Sequence, residues 1–149
     1  MDLPPGVVAH DGLPPSPNHG FLISTVNPST TARVTLDEPR IIDIYDEYDV
    51  MTLGSARAYL DSELKDAKDG GVLRVRSTVL QGMRGVQARY RPKAGNSIVE
   101  SIVVLRRGIV YHLFLRTTDQ DYKADSTLFA RIREGFRFLP LPTGACVNP

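Results

Sequence analysis

Residues Ile98 to Thr117 read IVESIVVLRRGIVYHLFLRT. Two runs rich in Val, Ile and Leu flank Arg106-Arg107-Gly108, and a glycine between two such runs is the signature of a β-hairpin. Alternation along a strand sends Ile102, Val104, Tyr111 and Leu113 to one side and Val103, Leu105, Val110 and Phe114 to the other. Both sets are apolar. A strand pair apolar on both faces belongs mid-sheet, with a layer packed on each side. His112 falls on the side of Val110 and Phe114, so it is expected as a packed core histidine and not as a ligand.

Upstream, Val72–Gln81 and Gly85–Arg91 form a second strand pair. With Gly82 and Gly85 bracketing a two-residue loop, Arg76 would lie opposite Arg91, and Thr78 opposite Arg89. Leu73, Val75 and Val79 would then share a buried face with Val86, Ala88 and Tyr90. Before that pair, Leu53, Ala56, Leu60, Leu64 and Ala67 trace one stripe of a helix. Thr52 or Ser55 is placed to cap it, Gly70-Gly71 to stop it, and Asp61, Glu63, Lys65 and Asp66 fall largely on its wet side. Short strands are expected at Phe21–Ile23 and Ala32–Leu36, and a longer one at Arg40–Tyr48. A last helix is expected over Ser126–Glu134 with Asp125 as its N-cap, followed by a terminal strand Phe136–Phe138.

The order β-β-β-α-β-β-β-β-α-β, joined mostly by short turns, predicts an α+β fold: a mainly antiparallel sheet covered by helices. Five of the eleven prolines fall within the first eighteen residues. Residues 1–20 are therefore expected as an irregular Pro-rich arm, 21–139 as a single domain, and 140–149 as an irregular tail.

The chain has 149 residues, 42% of them hydrophobic and 23% charged, with a net charge of +1. That is the composition of an ordinary soluble globular protein, with no global field to attract nucleic acid. A nucleic-acid partner is not expected. No apolar run approaches the ~20 residues of a membrane helix. Met1-Asp2-Leu3-Pro4-Pro5 lacks the basic and apolar regions of a signal peptide, leaving open a removed leader with a tether and a cytoplasmic protein with a native start. Cys146 is the single cysteine, so there is no disulfide framework and no redox compartment to infer.

A strand ending in Tyr48-Asp49-Val50, a helix with a Gly-Gly stop, and a strand pair around Gly82 and Gly85 follow one another. A hairpin bearing Arg106-Arg107-Gly108-Ile109-Val110-Tyr111 comes next, then Phe129…Gly135-Phe136-Arg137-Phe138. From Phe21 to Leu139 this pattern resembles the PsbP-like α/β/α-sandwich superfamily, which includes a photosystem II extrinsic protein, a Ran-binding factor and bacterial lipoproteins. The resemblance implies a layered sandwich and a non-catalytic accessory or binding module. It favours a bacterial, extracytoplasmic setting, periplasmic or cell-envelope. It carries no functional residue over, because fold does not fix function.

No catalytic motif stands out. His10, His19 and His112 show no metal-ligand spacing. Asp119, Asp121 and Asp125 fail as an EF-hand, since Ala124 and Ala130 occupy the sixth and twelfth positions. No metal or cofactor is expected. Gly82-Met83-Arg84-Gly85 lacks the lysine and helix of a P-loop, and no serine sits in a nucleophile elbow.

The basic residues are the constellation to follow. Arg74, Arg76, Arg89 and Arg91 share the polar face of the second strand pair, with Glu100 across from Arg89. Arginine forks recognise carboxylates and phosphates, so this face is the expected contact for a protein or small anionic ligand. Two other classes compete with a binding module. One is a small enzyme with a dispersed site around Asp43, Tyr45, His112 or Asp119. The other is a structural component of a cell-envelope assembly. A deep pocket where His112 meets a carboxylate would favour the enzyme, and a shallow surface above a buried His112 would favour the module.

Overall fold

The computed structural model describes residues 8–11, 19–24, 41–47, 55–93, 95–106 and 109–138. The strands are β1 (Val8–Asp11), β2 (His19–Ser24), β3 (Ile41–Glu47), β4 (Ala67–Leu80), β5 (Met83–Pro92), β6 (Ser97–Arg106) and β7 (Ile109–Thr118). They form one antiparallel sheet in the order β1-β2-β3-β7-β6-β5-β4. Helix α1 (Ala56–Glu63) precedes β4 through a 3₁₀ turn, and α2 (Tyr122–Gly135) follows β7.

The hairpin of β6 and β7 lies mid-sheet, flanked by β5 and β3. Its register pairs Ile102 with Leu113 and Val103 with His112, which sends alternate pairs to opposite faces. On one face Ala56, Tyr59 and Leu60 of α1 pack against Ala88, Tyr90, Val99, Val103 and Val110. On the other, Phe129 and Ile132 of α2 with Phe136 pack against Leu80, Ile102, Val104, Leu113 and Leu115. The molecule is thus a helix–sheet–helix sandwich, and both faces of the ribbon are dry because each has its own helical cover.

Helix α1 starts where its chemistry allows. Ser55 is extended (φ −159°), and its hydroxyl accepts the Ala58 N–H at 3.1 Å, satisfying one orphan donor of the first turn. Ser55→Ala is expected to cost about 1 kcal/mol in chemical denaturation.

Several local expectations need correction. Gly70-Gly71 does not stop the helix. The chain leaves α1 through Leu64–Asp66, and both glycines lie inside the fourteen-residue β4, where the register shifts between Ala67 and Arg74. Glycine suits such bulges as well as it suits a helix end. Helix α2 begins at Tyr122, one turn before the expected start. Thr118 Oγ1 accepts the Asp121 N–H at 3.2 Å and donates to its carboxylate at 2.8 Å, turning the chain early. Asp125 is therefore no cap: it is buried and accepts a hydrogen bond from Thr117 Oγ1 at 2.5 Å.

Phe136–Phe138 is not a strand. Its rings stack edge-on under the sheet, Phe138 standing 4.8 Å from Tyr111 and 5.0 Å from Phe136. Val8–Asp11, within the stretch expected as an irregular arm, is a strand paired with β2. The expected strand Ala32–Leu36 and the tail 140–149 lie outside the described residues.

The turn between β4 and β5 is Gln81-Gly82, with φ of +50° and +78°, as a two-residue hairpin of the primed type requires. Arg74 accordingly faces Arg89, Arg76 faces Gln87 and Thr78 faces Gly85, not the partners expected above. From Arg74 onward each partner differs from the expected one by four positions, an even number, so those side chains keep their face. Leu73 and Val79 are nonetheless exposed, at 44% and 62%, because β4 is an edge strand that α1 leaves largely uncovered.

Candidate functional site

Besides the buried Thr117–Asp125 pair, two larger polar clusters interrupt the apolar layers among the described residues. The first lies on the α2 side of the sheet near its β4 edge. Arg74, Arg76, Gln87, Ala88, Arg89, Glu100 and Tyr122 line a pocket of about 120 Å³. Antiparallel pairing builds it: Arg74 opposes Arg89, Arg76 opposes Gln87, and Arg89 opposes Glu100 on β6. Tyr122 closes the ring from the first turn of α2.

The hydrogen bonds run in a chain. Arg76 Nε and Nη2 donate to Gln87 Oε1 at 3.1 and 2.8 Å, and Gln87 Nε2 donates to Glu100 Oε1. Tyr122 donates its hydroxyl proton to Glu100 Oε2 at 3.0 Å and accepts from Arg89 Nη1 at 3.1 Å. The Arg89 guanidinium also sits 5.4 Å from the centre of the Tyr122 ring, a cation–π distance. Both carboxylate oxygens of Glu100 are therefore occupied by neutral donors. Three guanidinium groups face one carboxylate. Arg89 Nε is buried without a hydrogen-bond partner, while Arg74 and Arg76 are exposed. A planar oxyanion offers the acceptors that such an arrangement lacks.

Of the four arginines singled out in the sequence, the structure gathers Arg74, Arg76 and Arg89 at this pocket. Arg91 stands apart in a two-pronged ion pair with Asp119, at 2.6 and 2.9 Å. Hydrogen bonding to Arg91 holds the Asp119 carboxyl below its usual range, and the same bond raises the Arg91 pKa. The pair is solvent-exposed, so it lends little stability. Gln87 and Tyr122 were not visible as site residues in the sequence. Gln87 offered one signal, a polar residue between Val86 and Ala88 in an otherwise patterned strand. Tyr122 offered none, since it lies 33 residues from Arg89.

The second cluster is on the α1 side and is closed. Ser101 and His112 have no exposed surface. Ser101 Oγ lies 2.6 Å from His112 Nε2 and 3.1 Å from Glu63 Oε2, while Glu63 Oε1 stands 3.3 Å from His112 Nδ1. Rings of Tyr59 and Phe114 meet the imidazole edge-on, each at 5.6 Å. Glu63 thus turns inward, against the expectation of a wet-side position. Its spacing from Tyr59 (i, i+4) and Leu60 (i, i+3) was the signal, because those positions share a helix face.

A serine, a histidine and a carboxylate in contact invite a nucleophile reading, but a hydroxyl with no exposed surface has no path to a substrate. Burial lowers the His112 pKa to about 3. The nearby carboxylate favours the imidazolium, yet a fully enclosed ring loses more hydration than one partly exposed carboxylate returns. The ring is therefore neutral near pH 7.

Of the other residues of the dispersed-site alternative, Asp119 does not join it. Backbone pairing sets Tyr45 opposite His112 and Asp43 opposite Phe114, whereas Asp119 belongs to Arg91. Asp119, Asp121 and Asp125 each face a different partner: Arg91, Thr118 and Thr117. Among the described residues no three His, Cys, Asp or Glu side chains gather as metal ligands, and no helix is long and apolar enough to cross a membrane.

Solved structures share the architecture. A cyanobacterial PsbP (CyanoP) from Synechocystis sp. PCC 6803 is 15% identical with a TM-score of 0.55, the match covering 91% of this chain and 84% of that one. PA94 of Pseudomonas aeruginosa, a protein of unknown function, is 13% identical with a TM-score of 0.55, covering 94% and 86%. LpqN of Mycobacterium tuberculosis, involved in cell envelope biogenesis, is 16% identical with a TM-score of 0.52, covering 90% and 79%. No family model matches the sequence, and no curated protein does. The fold is PsbP-like.

Proposed function

We propose that this protein is a non-catalytic accessory module of the cell envelope that recognises an anionic group through Arg74, Arg76 and Arg89. One observation carries the reading: three arginines line a pocket whose lone carboxylate, Glu100, is already held by Gln87 and Tyr122. A carboxylate or phosphate entering there gains charge-assisted hydrogen bonds without displacing an existing ion pair. The closed state of the Ser101–His112–Glu63 cluster supports a binding role over a catalytic one. The extracytoplasmic setting rests on the fold shared with CyanoP and with LpqN.

The site is shallow and part-exposed, so a small anion alone should bind weakly. About 4 kcal/mol corresponds to a Kd near 1 mM. In an NMR titration with inorganic phosphate at pH 7, the largest shifts are expected at Arg89 Nε–H, Arg76 Nε–H and the Gln87 side-chain amide. Equal shifts at the exposed Arg131 and Arg137 would mean that phosphate merely samples surface charge, and the reading would fall.

A further inference from the structure

The pocket opens beside the edge of the sheet. Among the described residues β4 pairs with β5 alone, so its other side carries backbone donors and acceptors that none of them meets. Between Ala67 and Arg74 the register is irregular, and bulges there obstruct pairing. From Arg74 to Leu80 the register with β5 is continuous, and this stretch contains no Pro, Gly or acidic residue. Val79 is 62% exposed, and Val72 and Leu73, just before the regular run, are 45% and 44% exposed.

We propose that the β4 edge from Arg74 to Leu80 receives an extended acidic segment of a partner protein as an added strand, with carboxylates at alternate positions meeting Arg74 and Arg76. The proposal rests on the anion-binding reading and names the partner that supplies the anion. Charge decides between occupants. A second copy paired antiparallel about Val75 would set Arg74 against Arg76 in both directions, which is unfavourable, and one paired about Ser77 would set them against Leu80 and Thr78, which offer no counter-charge. Carboxylates at i and i+2 of an incoming strand instead project on the same side as Arg74 and Arg76. Arg89 lies one strand further in, opposite Arg74 and about 10 Å from the incoming backbone, so Arg74 and Arg76 make the direct contacts. Main-chain pairing supplies affinity and the arginines supply selectivity, the division of labour in strand addition.

The probe is an end-blocked peptide alternating Glu and Val, long enough to span Arg74–Leu80, with two analogues N-methylated at either the Glu or the Val amides. N-methylation removes ladder donors and leaves the charge. The parent is expected to bind saturably, to slow hydrogen exchange at alternate amides between Arg74 and Leu80, and to lose at least about tenfold in affinity in one of the two methylated forms. Unchanged affinity of both analogues overturns strand addition. A parent peptide that fails to bind, while phosphate still shifts Arg89 Nε–H, overturns this inference and leaves the anion site standing. Silence of Arg89 towards both probes removes the two together.

Discussion

Unfolding free energy should fall by about 1.4 kcal/mol per pH unit as pH is lowered from 6.5 towards 3, and His112 is the cause. The unfolded chain takes up a proton on this imidazole at its ordinary value near 6.5. The folded chain does not until about pH 3, because the ring has no exposed surface. Between those limits the unfolded state binds more protons, so acid favours it. Above 6.5 the contribution is fully present, and below about 3 no more is lost. Over the whole window the loss amounts to roughly 4–5 kcal/mol, a large share of a small domain's stability. His112→Gln retains a polar group for Ser101 and cannot titrate. Denaturation midpoints at several pH values should therefore converge for wild type and His112→Gln as pH falls. Parallel curves would mean that the imidazole is protonated in the native state, with Glu63 as its counter-ion.

Gly85→Ala should destabilise the protein by about 3 kcal/mol, at the upper end of the usual cost of overpacking. A Cβ at this position would overlap the Val103 carbonyl oxygen and Val104 Cγ1. The carbonyl belongs to a strand fixed on both sides, by β5 and by β7, so it has little room to yield. The pocket should suffer with the fold, since Gln87 and Glu100 span the same β5–β6 seam. Gly82→Ala is the informative comparison. Gly82 has φ +78° but open space where a Cβ would go, so its cost is backbone strain alone, about 1 kcal/mol. Equal costs at the two glycines, measured by chemical denaturation, would contradict the close approach of β5 to β6.

These two glycines also show where sequence reasoning reached its limit. Gly82 and Gly85 both look like turn residues, and nothing local says that one serves a turn and the other a tight seam between strands. Reading both as turn brackets displaced the register by four residues, yet the arginines kept their face because an even displacement preserves the alternation. The pairing of β6 with β7 was legible, since apolar alternation on both sides leaves little freedom, while the turn residues Arg107 and Gly108 lie outside the described residues. Glu63 was misplaced because a carboxylate is presumed wet, and Asp125 because an acidic residue ahead of an apolar stripe reads as a helix cap. Each is drawn inward by a buried hydroxyl, Ser101 or Thr117, that only the fold brings near. Gly70-Gly71 was read as a helix stop, although the helix had already ended and the pair eases β4 through its bulges.

The pocket itself was half visible. Period-two alternation put Arg74, Arg76 and Arg89 together, but the residues that define its chemistry come from other elements. Tyr122 arrives on α2, and Glu100 is occupied by Gln87 and Tyr122 and so is not free to neutralise Arg89 directly. On the proposed reading, that allocation is what leaves Arg74, Arg76 and Arg89 for an incoming anion.

The most direct test is the affinity of inorganic phosphate for Arg89→Lys against wild type and against Arg91→Lys. Lysine keeps the charge and removes the fork. Binding should weaken by about tenfold or more at position 89, the equivalent of about one charge-assisted hydrogen bond, and stay unchanged at position 91. Equal affinities for all three proteins would contradict recognition by the Arg74–Arg76–Arg89 pocket.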